Sequence, residues 1–491
     1  MKRTIAILSA LLLGSTLSYA QYDLTALQFS QNMYQSDARA AAVGNAYGAL
    51  GANFISASIN PAGLGLYRGG EFVFSLGFLG SSSVSDYLDN SNTAKINMVN
   101  VPSMGLVFTD INKVDGKAVT EGWVSKTFAM GINRSNSFYS RQHYSGNNTT
   151  SSMIDFFVED ANGELLGNLN PITKMAFETW LIDYKDSYTS YFSALGADTG
   201  IYDISQSKNF TTKGSAYDMT FAVGTNYSNK IYVGGKIGIP FLDYYKYINY
   251  TEENLRTGKS NYLGMEYKGT TDVNGVGINA GLGIIFKPVE YLRIGASVFT
   301  PTFYNLSENY KDELTAVLDT IKDDLSKSFQ GSFKYNLATP FRATVSAAVL
   351  AGKYGFVSVD YEYVDYSSSY LSSTEYPFNV ENSNITDYYK GTGILRAGAE
   401  IKLGIFALRG GYGRYSSPYK EEYKPAGGDR SMTTFSFGGG IREKSYYLDL
   451  AYTGYNSSEF DLPYALEGKN VEGATFDNTG YNVILTFGAK F

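Results

Sequence analysis

Large apolar residues recur at every second position in fourteen segments of about ten residues: 71–80, 100–109, 126–135, 216–227, 231–240, 275–286, 291–300, 341–350, 355–365, 394–403, 405–413, 433–441, 445–454 and 479–491. In 355–365, Val357, Val359, Tyr361 and Tyr363 share one face, and Ser358, Asp360 and Glu362 share the other. In 394–403, Leu395, Ala397, Ala399 and Ile401 oppose Arg396, Glu400 and Lys402. A period of two is the pattern of a β-strand with two unlike faces. Each segment is near the ~9–11 residues with which a tilted strand crosses a bilayer.

Alternation does not say which face is inside, but the connections do. Links 4–5, 6–7, 8–9, 10–11 and 12–13 are a few residues each ("SNK", "KPVE", "AGKY", "G", "REK"), and those of opposite parity are long. The longest cover 136–215, 241–274, 301–340 and 366–393; only the 2–3 link, about 110–125, is intermediate. Short turns at one end and long loops at the other are expected of an all-β, 14-stranded antiparallel transmembrane β-barrel. An even count closes such a barrel without a free edge. Fourteen strands also enclose a lumen wider than wall side chains fill.

The two ends fit an exported protein. Lys2 and Arg3, the apolar run Ile5–Leu13 and Ser18-Tyr19-Ala20 form a signal peptide over 1–20, cleaved after Ala20. The last segment, "YNVILTFGAKF", ends on Phe491, like the strand by which outer-membrane barrels are recognised by the insertion machinery. These features predict the outer membrane of a Gram-negative bacterium. The mature chain carries no apolar run long enough for a membrane helix. The full sequence has 43 Tyr, 30 Phe and 52 Gly, no Cys, one His (His143) and a net charge of −7. That composition offers no thiolate metal site, no His-based triad and no basic footprint for nucleic acid. No G-x-S-x-G elbow, metal spacing or phosphate loop occurs. The expectation is a non-enzyme without cofactor or metal.

Residues 21–70 hold no alternating segment. They are rich in Ala and Gly, suggest a short helix around Ala40–Ala49, and pass through the turn Asn60-Pro61-Ala62-Gly63 before the first strand at 71. A compact plug in the lumen suits them, with 71–491 as the barrel. Two loop stretches look helical. In 307–329, Leu314, Leu318 and Ile321 fall on one helical face behind Ser307, and "ITKMAFETWLIDY" carries Met175, Phe177, Trp180 and Leu181. These apolar faces can form a capture groove or simply cap the barrel. Strand parity turns Arg293, Arg342, Arg396, Arg409 and Lys236 inward, with Asp218, Asp360, Glu362, Glu400 and Asp449. Such cations can clamp a carboxylate ligand or pair across the wall.

The stretch "DARAAAVGNAYGALGANFISASINPAGLGLYRGGEFVFS" resembles the amino-terminal hatch of the FadL/TodX family of outer-membrane transporters for long-chain fatty acids and other hydrophobic compounds. The family's Asn-Pro-Ala falls on Asn60, Pro61 and Ala62. "LRIGASVFTPT" at 292–302 resembles a family segment, and "MGINRSNSFYSR" at 130–141 resembles Bacteroidetes-type members. The resemblance implies a monomer embedded in outer-membrane lipid. A hydrophobic ligand would be caught among the outer loops and released when the hatch shifts. It also implies an inward kink in the third strand that opens a lateral exit, for which Gly131 is the candidate. The alternative it leaves open is a related barrel serving as docking or shuttle subunit of a secretion system for surface proteins.

Overall fold

The computed structural model describes residues 22–491 except 186, 197–201, 257, 259 and 322. The stretch read as a signal peptide lies outside the described residues. Fourteen strands form the wall: β1 Glu71–Tyr87, β2 Ser103–Ile111, β3 Trp123–Ser137, β4 Ile204–Tyr227, β5 Ile231–Asn254, β6 Tyr262–Val289, β7 Leu292–Phe299, β8 Arg342–Leu350, β9 Gly355–Asp365, β10 Gly391–Leu403, β11 Phe406–Tyr415, β12 Met432–Arg442, β13 Tyr446–Asp461 and β14 Ala474–Lys490. Each pairs antiparallel with its neighbours. β1 returns to β14 over Glu71↔Lys490 to Asp86↔Thr475, so the sheet closes into a barrel. Closure satisfies backbone N–H and C=O groups that lipid cannot.

The two faces are inverted relative to a water-soluble protein. On β9, Val357, Val359, Tyr361 and Tyr363 are exposed, while Ser358, Asp360 and Glu362 are buried. The same inversion runs round the wall, with Leu282 and Ile284 on β6, Val345 and Val349 on β8, and Leu448 and Leu450 on β13 facing out. An apolar outer face with buried charges is stable only where the surroundings are themselves apolar, so the belt is the membrane-facing surface. Aromatic residues, among them Trp123, Tyr227, Tyr291, Tyr354 and Tyr446, are exposed near the short-turn end, where a lipid–water interface favours them.

At the opposite end two of the segments expected to be long loops, 241–274 and 301–340, are largely strand, whereas 366–393 holds a helix over Asn379–Tyr388. β4, β5 and β6 run for 24, 24 and 28 residues, well past the ~9–11 needed to span. Their outer halves turn polar side chains outward, such as Asp272 and Asn274, so they lack the alternation that marks a membrane span. The helix expected over 307–329 is absent. Phe303–Leu318 and Leu325–Ala338 form a hairpin paired to the outer half of β6. Leu314, Ala316 and Leu318 are buried and Val317 is exposed: this stretch satisfies both periods, and the open edge of β6 selects the strand. Ser307 is a strand residue, not a helix cap.

The other helical expectation holds as far as Glu178, with Trp180 and Leu181 past the end of the helix. α4 (Met153–Ala161) and α5 (Pro171–Glu178) pack on Tyr250, Tyr262, Leu314 and Leu318 as a cap. The buried Glu252 carboxylate anchors it, accepting from Ser152, Met153 N (2.8 Å), Tyr250 (2.7 Å), Gln206 (2.8 Å) and Tyr262 (3.1 Å).

Val345 stands on the lipid-facing side near the middle of β8. Val345→Arg is therefore expected to cost about 2–4 kcal/mol of folding free energy in phospholipid vesicles, measured by equilibrium urea unfolding. An unchanged free energy would contradict the assignment of that face to lipid.

Candidate functional site: the plugged lumen

Inside the wall lies the amino-terminal segment: α1 (Tyr22–Ser30), an extended stretch through Gln35, α2 (Ala38–Ala42), α3 (Ser56–Ile59) and a 3₁₀ turn over Pro61–Leu66. The helical stretch is shorter than the expected Ala40–Ala49: α2 ends at Ala42 and turns follow, with Gly44 and Asn45 at positive φ. Small side chains let the segment lie flush on the wall. Ala38, Ala40, Ala42, Ala57 and Ala62 are fully buried.

The turn at Asn60-Pro61-Ala62-Gly63 locks the segment to β5, β6 and β7. Asn60 Oδ1 accepts from Ala62 N (3.2 Å), and its Nδ2 donates to Gly48 O (2.7 Å) and Ile284 O (3.3 Å). Pro61 opens the 3₁₀ turn, where its missing N–H costs nothing. The wall answers with glycine: a Cβ on Gly234 would overlap the Pro61 carbonyl, and one on Gly283 would overlap the Asn60 side chain. Neighbouring bonds extend the seam. Ser297 donates to Ile59 O (2.8 Å), Asn133 to Ser58 Oγ (3.0 Å), and Gly48 N to Asp360 (2.9 Å).

The inward charges form pairs. Arg39 of α2 makes two 3.0 Å bonds to Glu400. Glu400 also accepts from Arg409 (2.7 Å), which reaches Asp449 (2.6 Å), which in turn accepts from Arg442. This ladder crosses β10, β11, β13 and β12 and takes Arg39 of the plug into the wall network. Arg396 pairs with Glu362 (2.8 Å), Arg342 lies 3.7 Å from Glu362 and donates to Tyr34 (3.0 Å), and Lys236 pairs with Asp218. Arg293 donates to the Leu50 carbonyl. Arg293, Arg342, Arg396, Arg409 and Lys236 thus face inward, but they bind the wall and the plug. Leu314, Leu318 and Ile321 pack in the cap, Phe177 lies against Tyr184 (ring centroids 5.0 Å), and Trp180 is exposed.

Two cavities flank α1. The outer one, about 370 Å³, is bounded by Tyr22, Lys246, Tyr267, Glu308, Tyr310 and Phe333. The inner one, about 200 Å³, is bounded by Gln28, Gln35, Ser137, Phe138, Thr453 and Asn482. Tyr22 donates to Glu308 (2.9 Å) on the Phe303–Leu318 extension, beyond the apolar belt. Burial, outweighing the Tyr22 hydroxyl and the Lys246 ammonium, pushes the Glu308 carboxyl up to about 7.

The wall splits beside β3. β2 pairs with β3 up to Ser103↔Asn133. Beyond it, β1 pairs with Asn90–Asn100, whereas the end of β3 and the following Ser140–Asn148 pair with β4. Among the described residues no rung joins Asn90–Asn100 to β3. The plug fills this place: Met33 N donates to Ser135 O (2.8 Å) and Gln35 N to Arg134 O (3.0 Å). The break does not sit at Gly131, which pairs regularly with Gly105 and Thr220. A Cβ at Gly131 would meet the Phe54 ring of the plug (2.6 Å), so packing asks for glycine there. The irregularity lies at Ser135, an extra residue between Arg134 and Asn136 opposite Tyr217 and Ala216. Sequence parity missed Arg134 because it continues the outward set Phe128, Met130 and Ile132.

No family model matches the chain, and no curated protein is similar to it in sequence. Comparison with solved structures does find relatives in shape. A FadL homologue of Pseudomonas aeruginosa superposes with a TM-score of 0.58 at 10% identity, over 94% of this chain and 99% of that one. The toluene transporter TodX of P. putida gives 0.53 at 13% identity, over 92% and 98%. The resemblance to the FadL/TodX family therefore holds for the fold, a plugged fourteen-stranded barrel.

Gly283→Val is expected to lift the Asn60 turn. The chain has no cysteine, so Ser58→Cys, buried in the seam, reports directly: a thiol reagent labels it slowly in the parent and at least tenfold faster with Gly283→Val. The Glu308 carboxyl gives a second expectation. Its protonated form is the one the fold favours, so α1 docking is strongest below the unfolded pKa and weakens as pH rises through about 7. Labelling of Leu27→Cys, normalised to a free thiol, rises across that range, and Glu308→Gln flattens the profile.

Proposed function

We propose that this barrel carries hydrophobic small molecules, long-chain fatty acids first among them, across the outer membrane by diffusion past a movable plug. The observation that carries this reading is the arrangement of two cavities on either side of α1, within a wall otherwise sealed by the plug. A ligand enters the outer cavity from the extended-strand end, where aromatic rings of Tyr22, Tyr267 and Phe333 offer apolar contact. Release of α1 joins the two spaces. Exit is lateral, through the split between Asn90–Asn100 and β3, once Met33–Gln35 leaves the β3 edge. Sideways exit delivers a greasy molecule into lipid without crossing water. The similarity in fold to a toluene transporter, a carrier of a small hydrophobic molecule, supports the same class of cargo.

The test is recovery of ligand. Natively expressed barrel, extracted in mild detergent and stripped with organic solvent, is expected to yield fatty acids or other long hydrophobic molecules by mass spectrometry, above an unrelated barrel prepared identically. Background lipid alone, with a protein co-eluting instead, would favour the secretion-docking alternative.

A further inference from the structure

Among the described residues the buried cations of this barrel meet carboxylates, with one exception; Arg293, only half-buried, meets the Leu50 carbonyl. Lys208 pairs with Asp461, Lys236 with Asp218, Arg396 with Glu362, and Arg409 with Glu400 and Asp449. Arg134 is fully enclosed and has no carboxylate partner among the described residues. Its Nη1 donates to Gln35 Oε1 (3.0 Å), its Nη2 to Ser137 Oγ (3.1 Å) and Ser215 Oγ, and its Nε has no partner. A guanidinium removed from water and met only by neutral groups is costly to hold. A wall that matches its other buried cations has left this one open.

Its position explains what it is open to. Arg134 continues the outward parity of β3, but the split in the wall encloses it, with its Nη2 3.5 Å from the Met98 sulfur. Gln35 and Ser137, two of its partners, line the inner cavity, so the guanidinium lies one side chain behind that surface. Gln35 is also the residue whose backbone bridges the plug to β3.

We propose that Arg134 is the receptor for an anionic head group, a carboxylate of the transported amphiphile, and that the anion takes the place of Gln35. A carboxylate accepts two charge-assisted bonds from a guanidinium where the glutamine oxygen accepts one neutral-acceptor bond. Displacing Gln35 frees the Gln35–Arg134 and Met33–Ser135 backbone bonds, so head-group recognition and loosening of the plug at the wall split are one event. The inference rests on the uptake reading above and adds to it a residue, a ligand charge and a trigger.

Oleate and methyl oleate separate the two ideas, since they share a chain and differ in the head-group charge. Binding of each to the purified full-length barrel is measured for the parent, Gln35→Glu and Arg134→Gln, with folding checked by heat-modifiable migration. Gln35→Glu keeps the arginine and supplies a tethered carboxylate, so it remains informative if Arg134→Gln does not fold. The expected result is that oleate binds the parent more tightly than methyl oleate does. Both variants then lose oleate affinity by roughly tenfold or more, while methyl oleate changes less than about twofold. Equal binding of both ligands to the parent, or variants that leave oleate unaffected, would overturn the head-group role and leave hydrophobic uptake standing. Failure of both ligands to bind the parent would overturn the two together.

Discussion

The constraint on which everything else depends is that a strand in lipid has no water to satisfy its edge. β1 must therefore meet β14, and the register over Glu71–Asp86 does so without a gap. Closing fourteen strands fixes a lumen too wide for wall side chains, and that lumen must be filled or left as a pore. The chain fills it with its own amino-terminal segment. Fold and function share this origin, because the piece that completes the packing is also the piece that blocks the passage.

A plug that seals and still moves needs a particular kind of interface. This seam is mixed: Phe54, Ala57 and Leu64 pack on Val73, Val107, Ala129 and Ala222 of the wall, and polar bonds cross it elsewhere. Hydrogen bonds at Asn60, Ser58, Gly48 and Ala38 join it to the wall, along with the Arg39–Glu400 pair. Each such bond is worth little net, since water replaces it when the plug shifts. Leaving a buried charge unpaired is the expensive step, and the ladder through Glu400, Arg409, Asp449 and Arg442 keeps the wall's own charges matched around the point where Arg39 docks. The β3 edge is the other moving boundary, where Met33–Gln35 stands in for a missing strand partner.

Much of the barrel could be read in advance because lipid imposes a strict code. Val357–Tyr363 alternates cleanly with Ser358, Asp360 and Glu362, and the parity of link lengths distinguishes the two ends. The Asn60-Pro61-Ala62-Gly63 turn was visible because proline and glycine punctuate backbone so sharply. Beyond the belt the code lapses. Phe303–Leu318 fits a helical stripe as well as a strand, and only its pairing with β6 decides between them. The same limit hid the break in β3: an inserted residue at Ser135 is invisible in one sequence, and Gly131 drew attention for a conformational freedom it does not use. Arg293, Arg342, Arg396, Arg409 and Lys236 were legible as inward, but their partners lie on other strands or on the plug, which spacing along the chain does not reveal.

Ion current through single barrels in a planar lipid bilayer tests the central claim, that residues 22–66 close the lumen. The full chain is expected to be electrically silent at moderate voltage, and a chain lacking those residues, inserted and heat-modifiable, to pass a steady ohmic current. Equal currents from the two proteins would contradict a plug-sealed barrel.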